Sequence, residues 1–343
     1  MSDTIEVKKA PAQPVPAMER SGQVARDSGA KGFFIYLAVP FAAAVALVVH
    51  RLVSGNELTN DSQTYTPFLA GLLGIGILAA VAQRFWGGLR RWLGETGPII
   101  AGGIAVLCVW ELATTGFRLL PLPYFPSPAG VLQSMVHDRA MILDSTWHSL
   151  RLLIGGYLLG VFVGITSGVC IGWFERARYW GMPILKIVGP IPATAWIPLA
   201  MVVAPNAMFS ALGLIALAVW FPVTMLTASG ISNTRASYLD VARTLGASRT
   251  FLIFRVAIPA AMPNIFIGLF MGLGASFLTL VVAETVGVKS GLGWYLQWAQ
   301  GWAEYAKVYA ALVVMAAFFS TIMTILFKVR DRVLVWQKGT IKW

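Results

Sequence analysis

Charge is what this sequence has least of. Only 12% of its 343 residues are Asp, Glu, Lys or Arg, about half the share found in a soluble domain. Histidine is scarce too, with His50, His137 and His148 alone. None of them has metal-ligand spacing with cysteine or carboxylate, which argues against a zinc or haem enzyme. Two cysteines, Cys108 and Cys170, exclude a disulfide scaffold and read as small packing residues. There is no G-x-x-x-x-G-K-[ST], so the chain has no phosphate-cradling loop for ATP. No apolar segment with a small-residue cleavage site opens the chain, and no signal peptide is expected.

What is present is apolar sequence: 57% hydrophobic residues, with a mean hydropathy of +0.72. That surplus reads as an all-α polytopic membrane protein. Residues 1–32, polar and carrying Pro11, Pro14 and Pro16, read as a disordered cytoplasmic tail. Eight spans are expected, at 33–53, 66–84, 98–116, 148–173, 183–203, 209–230, 258–283 and 308–328. The fifth contains Pro183, Pro190, Pro192 and Pro198 and is expected to be kinked or broken. The fourth carries Gly156, Gly160, Gly164, Gly168 and Gly172, a bare ridge for close helix packing, and Gly268 and Gly272 make a shorter one in the seventh.

The net charge of +11 then becomes a question of sidedness. With the N-terminus inside, 20 of the 26 Lys and Arg residues fall on cytoplasmic segments, so both termini are expected inside. Glu111 and Glu284 are the two carboxylates expected within spans, both near outer ends. A self-energised secondary transporter, the alternative reading, ordinarily places more of them at the midplane. No catalytic cluster supports a membrane-embedded enzyme. Trp294, Tyr295, Trp298, Trp302 and Tyr305 read as an aromatic belt at the outer interface, or as a docking face.

The segment 231–257 is the longest polar insertion in the membrane half. Ser237 followed by Asp240 suggests a cap, Tyr238–Leu245 a short helix, and Gly246 its end. A second basic turn, 248–255, leads to Ile258-Pro259, where the chain returns to the membrane. The resulting shape suits docking in a groove on a partner.

This segment resembles the cytoplasmic loop of binding-protein-dependent ABC importer permeases, E-A-A-x3-G-x9-I-x-L-P. Here it reads Asp240-Val241-Ala242, then Gly246 after three residues, then Val256-x-Ile258-Pro259 after nine more. LPLPYFPSPAGV (120–131), HSLRLLIGGYLLG (148–160), IPATAWIPLAMV (191–202) and VVAETVGVKSGLGWYLQWA (281–299) are similar to the nitrate, sulfonate, taurine and bicarbonate subfamily. The likeness runs over 98–338, leaving 33–97 as two added transmembrane helices outside it.

The resemblance implies a six-helix type I importer core in a prokaryotic inner membrane. It implies a second permease copy, a cytoplasmic ABC ATPase dimer that binds ATP and Mg, and a periplasmic or lipid-anchored binding protein. No cofactor is expected on this chain itself, and no nucleic-acid partner. The loop residues Tyr238, Asp240, Ala242, Arg243, Gly246, Ala247, Arg249 and Pro259 then become the ATPase-coupling set. Spans five to seven become the lining of the path for a small oxyanion, with Thr194, Trp196, Trp220, Thr224, Ser276 and Thr279 as its candidates and Arg151 at the outer mouth. Glu284 is expected to act structurally or as an outer gate.

Overall fold

The computed structural model describes residues 20–53 and 62–337. The expected tail over 1–19 lies outside them, as do Lys338 and Lys342. No strand occurs among the described residues, and seven helices are long and apolar enough to cross a membrane. A bent pair, Glu175–Val188 with Ala193–Val203, adds an eighth span if counted as one.

The chain divides into two compact units. The first gathers the described residues up to Pro121, with Ser127–Ala129. It contains α1 (Arg20–Val53), α2 (Ser62–Ala82) and α3 (Gly87–Glu111), the last continuing through a π turn at Leu112–Gly116. α1 begins well before the apolar stretch, so residues 20–32 of the expected tail are helical. Extending a helix already nucleated costs far less than starting one. Both α2 and α3 pack on α1. Gly76 lets α2 approach so closely that a Cβ there would lie 3.2 Å from the Pro40 nitrogen.

The second unit takes Leu122–Pro126 and Gly130 onward. Its helices are α4 (Pro128–His137), α5 (Arg139–Trp173), α6 (Glu175–Val188), α7 (Ile197–Val203), α8 (Ala207–Ser232), α9 (Ala236–Thr244), α10 (Arg249–Phe251), α11 (Ile258–Val286), α12 (Leu292–Gly301) and α13 (Tyr305–Val333). The glycine ridge of α5 lies against α8. A Cβ would sit 2.6 Å from Ile215 Cγ2 at Gly156, 2.6 Å from the Ala216 carbonyl at Gly160 and 2.8 Å from Val223 Cβ at Gly164. At Gly168 it would sit 2.6 Å from Thr227 Cβ, and at Gly172 2.7 Å from Ile231 Cβ. Two rows of fourfold spacing therefore interlock, which side chains on both helices would forbid. Gly268 and Gly272 of α11 approach the other flank of α8 at Val223 and Val219. Leu152, Leu153, Ala211, Ile215, Leu280 and Ala283 fill the space where the three helices meet.

The expected fifth span is interrupted. α6 ends at Val188, Gly189–Pro192 form a corner, and a 3₁₀ turn at Ala193–Trp196 leads into α7, at 87° to α6. Pro190 and Pro192 lack the N–H groups that would carry the helix through. At the other end of α6, Arg178 donates through Nη2 to the Gly172 carbonyl (2.6 Å) and through Nε to that of Ile171 (3.3 Å), capping α5.

Candidate functional site

The loop after α8 is built from backbone rules. α9 starts at Ala236 with Arg235 as its first flanking residue and no side-chain cap. Ser237 is therefore inside the helix and does not cap it. The N–H of Tyr238 is already satisfied by the Arg235 carbonyl at 3.1 Å, which closes the first turn earlier. At the C-terminus, the Gly246 N–H donates to the Arg243 carbonyl (2.9 Å) and the Ala247 N–H to that of Ala242 (3.0 Å). This is the Schellman arrangement, and it places Gly246 at φ +80°, a region open to glycine at little cost.

No residue of α9 is buried. Tyr238, Val241 and Leu245 are 52%, 60% and 83% exposed, and their i, i+3, i+7 spacing puts them on one face. Leu239, Ala242 and Ala247 are half-buried. Arg243 pairs with Asp240 at 3.1 Å, both exposed, and Arg235 stacks 5.9 Å from the Tyr238 ring. The loop thus presents a short apolar row edged with cations, held rigid at its C-terminus.

Beyond it, Ser248 Oγ accepts from the Phe251 N–H (3.3 Å) and starts α10. A π turn over Leu252–Ala257 follows, in which the Ile258 N–H bonds to the Ile253 carbonyl, five residues back. The wider turn carries the hydrogen-bond ladder past Pro259, whose nitrogen cannot donate. Arg249 and Arg255 lie on this stretch, both exposed.

A cleft of about 330 Å³ opens between the α6–α7 corner, α8 and α11. Thr194 and Thr279 line it, among apolar walls that include Phe221, Pro222, Met271 and Leu278. No charged side chain contributes to the lining. Thr279 donates its hydroxyl to the Ala275 carbonyl (2.9 Å). The other expected path residues lie elsewhere. Trp220 donates through Nε1 to Ser167 Oγ (3.1 Å), and that oxygen also pairs with the Thr224 hydroxyl at 2.9 Å, so both residues bind α8 to α5. Ser276 is buried and donates to the Leu273 carbonyl (2.7 Å). Trp196 forms part of the 3₁₀ turn, with its Nε1 buried and without a partner among the described residues. Arg151 is exposed and stacks 4.6 Å from the Trp147 ring.

At the opposite end of the bundle from α9, Glu284 is buried and accepts from Ser149 Oγ (2.7 Å) and the Gly293 N–H (2.8 Å). Ser149 Oγ in turn accepts from the Leu292 N–H (2.9 Å). Gly291, at φ +108°, has no room for a Cβ because the Glu284 carboxylate occupies that space. The carboxylate thereby ties α5 and α11 to the start of α12. Sequence reasoning missed Ser149 as the partner, although it continues the small-residue row two turns ahead of Gly156.

The aromatic segment is partly packed into the protein, and Tyr295 belongs to the core and not to a belt. Tyr295 is fully buried with Ile142, Leu292, Ala311 and Met315, while Trp294 and Trp298 pack against that cluster. Trp302, 70% exposed, is the outlier. The Tyr295 hydroxyl donates to Asp138 Oδ2 (2.9 Å), which also pairs with Lys307 at 3.2 Å. Burial first, then that hydrogen bond and the charges of Asp138 and Glu304, push the Tyr295 hydroxyl above the usual tyrosine range. The folded state therefore keeps this proton longer than the unfolded chain. The stabilisation is complete below about pH 10, where an unfolded tyrosine ionises, and is lost as pH rises further. Tyr295→Phe is expected to lower stability by about 1 kcal/mol at neutral pH and to remove that component of the alkaline loss. Thermal unfolding in detergent across the alkaline range measures both effects.

A model of the family described as "binding-protein-dependent transport system inner membrane component" matches residues 156–334. A probable ABC transporter permease protein of Brucella abortus is 31% identical over 67% of this chain and 91% of its own length. The taurine transport system permease protein of Escherichia coli is 31% identical over 66% of this chain and 85% of its own. The putative aliphatic sulfonates transport permease protein of Bacillus subtilis is 32% identical over 69% and 86%, respectively.

Proposed function

Because this chain belongs to the family of binding-protein-dependent transport system inner membrane components, we propose that it forms the translocation path of an ATP-driven importer for a small oxyanion. It is a multi-pass inner-membrane permease and not itself an enzyme. In this reading two copies pair in the membrane with both termini inside. A separate ATPase dimer binds ATP and Mg, and a periplasmic or lipid-anchored binding protein delivers the substrate.

The observation that carries the reading is α9. A short helix with Tyr238, Val241 and Leu245 exposed on one face is costly to leave in water and well shaped to fill a groove. Its glycine-terminated end lets it move as one piece, and the helical continuity of 249–286 gives a direct mechanical link into a span. An oxyanion is favoured because relatives named for taurine and aliphatic sulfonates share about two thirds of this chain. A lining with hydroxyls and no fixed charge suits brief passage, since a full cation would retain the substrate.

Purified from its own membranes in mild detergent, the chain is expected to bring an ATP-hydrolysing subunit with it. Leu245→Asp combined with Tyr238→Asp is expected to reduce that recovery and ATP-dependent uptake by at least about tenfold, the loss typical of an interface anchor. Gly246→Ala, whose Cβ meets nothing within 4 Å and which alters only the backbone preference at φ +80°, is expected to retain the subunit but weaken coupling. Uptake of taurine or a sulfonate into liposomes by the isolated chain without ATP would overturn the reading.

A further inference from the structure

The first unit contains a polar cluster that the transport reading does not use. His50 of α1 and Glu111 of α3 are both 0% exposed, and His50 Nδ1 is hydrogen-bonded with Glu111 Oε1. His50 Nε2 lies 3.2 Å from Thr66 Oγ1 of α2. The Tyr65 ring meets the imidazole edge to face at 4.9 Å between centroids. Thr114 and Thr115, in the π turn that follows Glu111, are also buried. All three helices contribute, and all do so near one end. His50 lies three residues before the end of α1, Tyr65 three residues after the start of α2, and Glu111 closes α3.

Among the described residues, two buried atoms in this cluster have no partner, Glu111 Oε2 and the Tyr65 hydroxyl. Buried polar atoms in folded proteins are nearly always paired, and an ionisable residue inside a membrane helix is costly enough to call for a role. Among the described residues, the titratable groups facing the pair are Tyr65 from α2 and Cys108 from α3, one turn before Glu111. Arg51, next to His50 in sequence, is exposed. Glu57 and Asp61 lie outside the described residues.

An apolar surrounding tolerates a cluster of no net charge best. With a neutral ring, the Nδ1–H donates to Glu111 Oε1 and Nε2 accepts from the Thr66 hydroxyl, so the cluster carries the single negative charge of Glu111. Glu111 Oε2 then remains an open acceptor. We propose that this cluster is an intramembrane proton-binding site, in which Glu111 takes up one proton on Oε2 while His50 holds Oε1. The carboxylate becomes a carboxylic acid, and the cluster passes from one negative charge to net zero. Every residue named precedes residue 156, where the match to the family begins. His50, Tyr65 and Thr66 lie in the added segment 33–97, and Glu111 lies on the helix that leads out of it.

Infrared difference spectroscopy on the full chain in lipid nanodiscs, stepped between about pH 8 and about pH 5, tests this across the interval in which histidine ordinarily changes charge. The wild type is expected to gain a carboxylic-acid C=O band at the lower pH. The band should vanish in Glu111→Gln and persist in Glu284→Gln, the control for the other buried carboxylate. Tyr65→Phe and His50→Gln keep Glu111 and should shift the band, so the test stands if Glu111→Gln fails to fold. Identical wild-type and Glu111→Gln spectra, or a band unmoved in both Tyr65→Phe and His50→Gln, would overturn the proposal.

Discussion

Gly160→Leu is expected to abolish accumulation of folded protein in the membrane. A Cβ at this position would sit 2.6 Å from the Ala216 carbonyl oxygen and 2.7 Å from Val219 Cβ. The first neighbour is backbone, so no rotamer change relieves the clash. The two helices would have to separate along their length, undoing the contacts at Gly156, Gly164, Gly168 and Gly172 as well. Overpacking ordinarily costs about 1–3 kcal/mol, and here the lost approach is shared by five adjacent sites, so the expected cost exceeds about 3 kcal/mol. Gly213→Leu is the contrasting control, because a Cβ there meets nothing within 4 Å. Fluorescence-detected size exclusion on both variants measures the difference, and a monodisperse Gly160→Leu peak of wild-type height would refute the packing argument.

Glu284→Leu is expected to release the start of α12. The substitution removes the acceptor for Ser149 Oγ and for the Gly293 N–H in a site closed to water. Each orphaned buried donor costs about 1–3 kcal/mol. Glu284→Gln keeps a carbonyl for Gly293 and offers an amide N–H to Ser149, so it should lose much less. Lys289 is exposed in the segment the carboxylate holds, which provides a local readout. Trypsin is expected to cut after Lys289 several times faster in the leucine variant than in the wild type, with the glutamine variant between them. Equal cutting rates in all three proteins would refute the latch.

The spans, the glycine ridge and the broken fifth helix were legible because each is a local pattern: a run of apolar residues, a fourfold repeat, a cluster of prolines. The end of α9 was legible for the same reason, since Gly246 has few other uses at that spacing. The long-range polar pairs were not. His50 and Glu111 are 61 residues apart, Ser149 and Glu284 135, Asp138 and Tyr295 157, and nothing in a period of two or 3.6 announces them. Tyr295 misled because a belt at an interface and a buried cluster share one composition, and only packing separates them. The third span shows a different gap. The sequence resemblance begins near residue 98, whereas α3 packs on α1. Ancestry and compactness need not break at the same residue.

The interlocked rows of α5 and α8 also set where this protein can bend. Two helices in contact along five consecutive turns resist shear like a laminated beam, because sliding one past the other would drive every ridge into a neighbour at once. Compliance must then concentrate where the backbone is already interrupted, at the 87° corner between α6 and α7. The cleft that holds Thr194 and Thr279 borders both that corner and α8. Its width is therefore set by the swing of a short elbow against a stiff post.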